Sequence, residues 1–375
     1  MVAQAPLWLV LVAFVCALGP LVFFHELGHY LMARAFRIPA ETFSIGFGHE
    51  IAGWTDRQGT RWKIGWLPLG GYVKFVGDMT PASEPVDESA IPPEDRDRAF
   101  QLRPVWQRFL VVLAGPAANF LLAIIIFASF FTFVGAPLSN VIGTVEPSTA
   151  AAEAGLRPGD RILAVDGRET PTFDDIRNVV SLRPNAPVII EVKRGDSVSE
   201  VRVTLKSDTF KDQFGKTQRK GLLGVAPTTT VLERLPLAKA IPEAIEYTGR
   251  LTFSIVDGLG QIFAGEISPK ALGGPIAIAK VAGQGAALGP LPFVGLLAFL
   301  SINLGFINLL PVPMLDGGHL FFYAIEAVRR RPLSAQALEW AFRGGLAVIL
   351  ALVLFTTFND LGSIGLWDRL QRLIG

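Results

Sequence analysis

Cysteine and charge are both scarce in this chain. One cysteine, Cys16, occurs in 375 residues, so neither a disulfide framework nor a Cys-x-x-Cys metal site can form. Any bound metal must be held by imidazole and carboxylate, and there are only four histidines. Charged residues make up 18% of the chain against 50% hydrophobic, which excludes an ordinary soluble enzyme and fits a polytopic membrane protein carrying one soluble module. A net charge of +1 offers little to a polyanion, so no nucleic-acid partner is expected. The N-terminal apolar run lacks a basic leader, and is therefore expected to be a retained transmembrane segment rather than a cleaved signal.

Within that run stands the most informative motif. No Asp, Glu, Lys or Arg precedes Glu26, and Pro6 to Phe24 is almost wholly apolar, about the length that crosses a hydrocarbon core. It ends in His25-Glu26-Leu27-Gly28-His29. On a helix, histidines four apart share a face and can grip one Zn²⁺, while the Glu between them can serve as general base. Ionisable groups at membrane depth are costly and point to function.

Four apolar segments are expected to span a membrane: Pro6–Ala33, Phe109–Val134, a third near Pro292–Leu310, and a shorter fourth at Gly344–Phe358 with Arg343 snorkelling at its end. Basic residues concentrate between Arg34 and Arg108 and at Arg329-Arg330-Arg331, which places both loops in the cytoplasm. The segment between the second and third spans then lies on the outer side. Residues 78–100, rich in Pro and acid, read as a mobile loop.

The outer segment alternates short strands and helices. Strands are expected at 141–145, 161–165, 188–192 and 200–205, with helices at 149–154 and 173–182 and an Asp166-Gly167 hairpin turn. This α+β module resembles a bacterial PDZ domain, most specifically in Gly155-Leu156-Arg157-Pro158-Gly159-Asp160 followed by the Asp-Gly turn. The expected organisation is 1–139 for the first two spans and a membrane-associated loop, 140–206 for the PDZ domain, 207–291 for an irregular linker and interfacial segment (with Glu266–Lys280 near the site entrance), and 292–375 for the last two spans. The fold class is membrane α-helical with about four transmembrane helices, an inserted α+β PDZ domain and a membrane-associated β-hairpin.

A catalytic zinc needs a third protein ligand. Pro311 and Pro313 break the third apolar run, and Asp316-Gly317-Gly318-His319 comes next. A broken helix at membrane depth is tolerated where it lines a buried or polar site. Asp316 is therefore the expected third ligand, with His319 as the rival and His49 assigned to the cytosolic loop. Arg61 to Phe75 reads as an aromatic hairpin after the first span, whose edge either adds a substrate strand or packs at the membrane interface. Gly115-Pro116-Ala117-Ala118-Asn119-Phe120 offers small residues for close helix packing, and Asn119 either bonds in the site or joins helices.

Taken together, these motifs resemble the site-2 protease family, in particular the bacterial regulator of sigma-E protease group, over nearly the whole chain. The resemblance implies a zinc-dependent endopeptidase that cuts transmembrane segments of single-span proteins, an anti-sigma factor or remnant signal peptides among them, in the lipid of a bacterial inner membrane. It assigns zinc to His25, His29 and Asp316 and acid/base work to Glu26. It assigns substrate handling to Asn308, with Asn119 as a further substrate-binding candidate. Close members often carry two PDZ domains, whereas this chain has room for one clear example. Its expected role is to restrict substrate access. The alternatives are a non-catalytic scaffold that gathers partners through the PDZ domain, and a metal transporter, for which one ligand cluster makes a poor pathway.

Overall fold

The computed structural model describes residues 5–77, 93–137, 140–211, 217–227, 232–265 and 267–363. In chain order the elements are α1 (Leu7–Ala35), β1 (Ala40–Thr55), β2 (Arg61–Phe75), α2 (Val105–Phe133), β3 (Ala136–Pro137), β4 (Ile142–Val145), α3 (Ala150–Glu153), β5 (Arg161–Val165), β6 (Arg168–Glu169), α4 (Phe173–Ser181), β7 (Pro187–Arg194), β8 (Ser197–Thr204), β9 (Lys206–Lys211), β10 (Thr217–Leu222), β11 (Val225–Pro227), β12 (Leu232–Glu233), α5 (Leu237–Phe263), α6 (Pro275–Ala287), α7 (Pro290–Leu309), α8 (Asp316–Arg329) and α9 (Ala335–Ser363). Two compact units divide the chain, one comprising residues up to Ile126 with Gly274–Phe358, the other Phe127–Gly273 with the segment from Asn359.

Four helices, α1, α2, α7 and α9, are long and apolar enough to cross a membrane, and the chain is a membrane protein. The fourth begins earlier than expected. Arg343 lies inside α9, paired with Glu339 one turn before it and placed over the Trp340 ring, instead of marking the helix end. Arginine is a good helix former, so the charge bounds the apolar run without ending the helix.

In the first unit, α1 buries Ala13, Ala17, Leu21, His25, His29 and Ala33, a row spaced by four. Small side chains at its start let α6 approach: Ala282 joins Ala13 and Ala17, and Gly283 lies against Val10. Part of the expected interfacial segment is thus a helix packed on the first span, while Glu266 lies outside the described residues. The loop expected at 78–100 is described only from residue 93, where Pro93–Arg98 forms a 3₁₀ turn. A second 3₁₀ turn, Phe100–Leu102, leads towards α2 and buries Phe100 against Phe75.

β1 and β2 form more than a simple hairpin. Thr42–Ile45 pairs with Arg61–Ile64 and also with Gly71–Lys74, because both strands bend sharply. Gly46 (φ 86°) and Gly70 (φ 102°) take the left-handed backbone these bends require. Asp56 ties the sheet to the helix carrying the His-Glu-x-x-His motif by accepting from Tyr30 Oη at 3.2 Å and Trp62 Nε1 at 3.0 Å.

In the second unit, β6-β5-β7-β8 form one sheet, and Ile162, Val165, Val188, Ile190, Val192 and Val203 point into a core closed by α4. Thr172 and Asp175 cap α4 reciprocally, while Ile176, Val179 and Val180 supply its apolar face. Asp166 (φ 49°) and Gly167 (φ 74°) make the two-residue turn that the Asp-Gly pair signals. The expected domain end at residue 206 falls short. β11 pairs with β4, Leu223 is part of the core, and a Cβ at Gly221 would collide with the Val180 carbonyl. The polar run Thr217–Lys220 gives no alternating pattern, so the strand it forms with β9 is made by backbone pairing and is invisible to hydrophobic periodicity. α5 is anchored to the same unit through Arg250 to Asp175 at 3.2 Å and Arg168 to Asp257 at 3.4 Å.

Asp160 is buried and accepts 2.7 Å bonds from Arg194 Nε and Nη2 and a 2.8 Å bond from the Arg157 N–H. The Arg194 guanidinium holds the Asp160 carboxyl below the usual carboxylate range. A carboxyl depressed in the folded state stabilises fully above its unfolded pKa of about 3.9 and loses that contribution as pH falls through the folded value. Amide exchange protection of β5 and β7 should therefore hold down to about pH 4 and decline below it. Asp160→Asn should weaken that protection at neutral pH and flatten the acid decline. Exchange measured on the full chain by mass spectrometry checks this; an Asp160→Asn protein with unchanged protection would contradict it.

Candidate metal centre

Three segments deliver electron-pair donors to one point. α1 presents His25 and His29 on its buried face. α2 approaches so closely that a Cβ at Gly28 would collide with the Ala114 carbonyl, and one at Gly115 with the His29 imidazole. The third segment is the broken end of α7. Leu310 is extended because the residue before a proline is pushed out of the helical region, so the helix stops before Pro311. Met314 then takes a positive φ of 83°, and α8 starts at Asp316 with its carboxylate in the first turn, where the helix dipole favours negative charge. The turn folds tightly on itself: added Cβ atoms at Gly317 and Gly318 would strike the Leu309, Leu310 and Val312 carbonyls, and one at Gly345 of α9 would strike Pro313.

The resulting distances fit a metal. Asp316 Oδ2 lies 3.1 Å from His25 Nε2 and 3.5 Å from His29 Nε2, and the two imidazole nitrogens are 3.3 Å apart. Tetrahedral zinc with bonds of about 2.0–2.1 Å requires donors about 3.3 Å apart. Asp316 Oδ2 is also buried without a hydrogen-bond donor, as expected of an atom reserved for a cation. The second nitrogen of His29 is already committed, since Nδ1 donates to the Val111 carbonyl at 2.9 Å. That bond leaves the Nε2 lone pair directed at the cluster.

Glu26 stands beside the cluster and outside the donor set. The Val73 backbone N–H donates to its carboxylate, and Gly71 is small enough to let the strand approach the Glu26 side chain. A cleft of about 690 Å³ joins these groups; its wall includes His25, Glu26, His29, Asn308, Asp316 and the strand Gly71–Val73. Among the described residues, Gly71–Lys74 pairs only with Thr42–Ile45, so its other edge carries no strand partner. Asn308 reaches the site, with Nδ2 3.4 Å from His25 Nε2.

The other sequence candidates stand outside the donor set, although His319 lines the same cleft. His319 packs against the Tyr323 and Phe342 rings, and His49 is exposed on β1. Asn119 is fully buried, with Nδ2 3.2 Å from His25 Nδ1, so the substrate contact expected of it does not match its position. Sequence reasoning missed the Val111 carbonyl and the Val73 N–H, because backbone groups leave no mark in a residue pattern. It also missed the ion pair between Arg108 and Glu326 at 2.7 Å, which joins α2 to the helix carrying Asp316. The small residues of Gly115–Phe120 signalled close packing without saying against what.

Two outcomes are expected from metal analysis of purified variants. Asp316→Ala should fall from about one metal per chain to nearly none, whereas His319→Ala keeps its metal. Gly115→Ala should displace His29 and reduce metal content, whereas Gly19→Ala, with open space around the added methyl, should not. Equal metal content in Gly115→Ala and Gly19→Ala would show that the helix approach does not set the ligand position.

Comparison with known proteins agrees with this geometry. The chain matches Peptidase family M50 over residues 13–352. A relative from Agrobacterium fabrum, provisionally named a zinc metalloprotease, is 43% identical over 364 residues, covering 94% of this chain and 96% of its own. A similarly named relative from Rhizobium meliloti is 42% identical over 355 residues, or 93% and 95% of the two chains. The metalloprotease MmpA of Caulobacter vibrioides is 39% identical over 380 residues, or 94% and 95%. Among solved structures, the PDZ domain of the SdrC-like protein from Listeria monocytogenes covers 24% of this chain and 88% of its own, at 20% identity and a TM-score of 0.20, a likeness too slight to argue from. With the family match running from the first apolar helix into the last, and relatives alike over more than nine-tenths of the chain, the protein belongs to Peptidase family M50.

Proposed function

We propose that this chain is a zinc-dependent endopeptidase that cuts the transmembrane segments of single-span membrane proteins in a bacterial inner membrane. The observation that carries the reading is the meeting of three metal donors with Glu26 beside a strand edge that pairs with no further described strand, two donors lying on a helix apolar enough to span a bilayer and the third just beyond the end of another. The names of the relatives support zinc and proteolysis.

His25, His29 and Asp316 would hold the zinc, which would supply a Lewis acid to acidify water and polarise the scissile carbonyl. Glu26 takes the proton from the attacking water and passes it to the leaving amine nitrogen. Asn308, whose Nδ2 lies 3.4 Å from His25 Nε2, would donate to the substrate carbonyl oxygen as charge builds there. A transmembrane helix hides its carbonyls in its own hydrogen bonds, so a substrate must unwind locally before attack. The free edge at Gly71–Lys74 receives the unwound stretch as an added strand and lays it along Glu26.

By the positive-inside rule the basic loop between the first and second spans, together with Arg329-Arg330-Arg331, would lie in the cytoplasm and the PDZ-like module outside. On this reading the module restricts access of substrates with bulky outer domains, among them an anti-sigma factor awaiting a first cut. Remnant signal peptides, already short, would need no such trimming. The scaffold alternative leaves Glu26 without a task beside a complete donor set.

Glu26→Gln should keep its zinc and its fold while cleavage of single-span substrates falls about 100- to 10,000-fold. Assays on purified protein, with and without chelator, measure this; substantial turnover by Glu26→Gln would refute the proton-carrier role. For the module, one substrate is compared with and without its outer domain, in the intact enzyme and in a chain lacking residues 140–227. Removal should release cleavage of the bulky form and leave the trimmed form largely unchanged. Loss of both activities with zinc retained would instead indicate recruitment.

A further inference from the structure

The two histidines of the donor cluster both turn their second ring nitrogen towards α2, and they meet different partners there. His29 Nδ1 faces a carbonyl, which can only accept, so neutral His29 carries its proton on Nδ1 and keeps a lone pair on Nε2. His25 Nδ1 faces the side-chain amide of Asn119 at 3.2 Å. With the amide nitrogen towards the ring, Asn119 would donate to Nδ1 and send the ring proton to Nε2. That is the atom lying 3.1 Å from Asp316 Oδ2 and 3.3 Å from His29 Nε2, and a protonated nitrogen cannot bind a metal. The same orientation leaves Asn119 Oδ1 buried without a donor. The nitrogen and oxygen of an amide exchange places by a half-turn about the last side-chain bond without altering its shape.

Resting on the zinc reading above, we infer that Asn119 is a positioning residue, which turns its carbonyl oxygen to His25 Nδ1–H and thereby holds His25 in the tautomer whose Nε2 is free for the metal. Outer-shell acceptors of this kind fix both the tautomer and the ring orientation of a ligating histidine. Asn119 is fully buried, so it serves the metal through His25 and touches no substrate. Its own position is held from the third span. Ser301 Oγ donates to the Asn119 backbone carbonyl at 2.8 Å, and Gly305 lets α7 settle against Phe120 and Pro116. The helix that ends in the Asp316 turn is therefore also the one that secures the turn of α2 orienting His25.

The test compares full-length Asn119→Asp, Asn119→Leu and Asn119→Ala for zinc affinity by competition with a chelating dye, with thermal unfolding of the metal-free proteins as a control for folding. An acceptor role predicts that Asp, which can accept but not donate, stays within a few-fold of the parent protein. Leu and Ala should weaken zinc binding about 10- to 100-fold. Unaltered affinity in folded Asn119→Leu would overturn the inference. So would an Asn119→Asp protein that folds but binds as weakly as Leu, because the amide would then act as a donor. Nitrogen-15 spectra of histidine-labelled parent protein give an answer independent of any variant, since only four histidines contribute. The inference requires a His25 signal of the Nδ1–H form, and an Nε2–H signal would overturn it. A parent protein that binds no zinc would instead remove the reading on which the inference rests.

Discussion

Two imidazole nitrogens and a carboxylate oxygen, held 3.1–3.5 Å apart among apolar helices, set the terms for the rest of the first unit. Lone pairs at that separation, largely removed from water, are unfavourable company unless a cation lies among them. Bringing them together demands that backbones approach more closely than ordinary side chains allow. Gly28 and Gly115 remove the obstruction between α1 and α2, Gly317 and Gly318 tighten the turn before α8, and Gly345 admits α9 to Pro313. Each lies where a single methyl would meet a carbonyl or a ligand ring. The helix packing is thus subordinate to the donor geometry.

Regular structure is interrupted twice around this point, and each interruption supplies something that a continuous helix or closed sheet could not. Where α7 breaks at Pro311, the chain reverses through Met314 and offers Asp316 at a helix start. Where β1 and β2 bend, the Gly71–Lys74 strand is left with one side unpaired, and its Val73 N–H points at Glu26. Open backbone groups in an apolar setting are costly unless something satisfies them. Glu26 satisfies one, and on the proposed reading an unwound substrate satisfies others. The same edge would then orient both the general base and the peptide on which it acts.

The second unit is held together differently. Its core is that of a small soluble α+β module, with alternating aliphatic residues on β7 and an amphipathic, reciprocally capped α4. Its charged contacts are local and specific: Arg194 on Asp160, Arg250 on Asp175, Arg168 on Asp257. These groups stand outside the donor cluster of His25, His29 and Asp316. A module stabilised by its own core suits a part proposed to discriminate among substrates.

Much of the chain was legible without coordinates, and for identifiable reasons. Membrane length and uninterrupted apolarity mark α1, α2 and α7. The His-Glu-x-x-His spacing places two donors on one helical face, and the Asp-Gly pair marks the turn between β5 and β6. Each of these can be read within one contiguous stretch of chain. The module's true extent was hidden, because Gly221 and Leu223 join it through contacts with residues about 40 to 80 positions earlier, and the polar strand before them has no periodic signature. The same distinction runs through the metal centre. The sequence determined which side chains could ligate; only the tertiary structure decided that Asp316 reaches His25 while His319 turns to Tyr323 and Phe342. It alone placed Val111, Asn119 and Val73 against His29, His25 and Glu26. Donor identity is a property of residues, whereas donor convergence depends on how closely separate backbones can pack, and that distance is set jointly by segments nearly 300 residues apart.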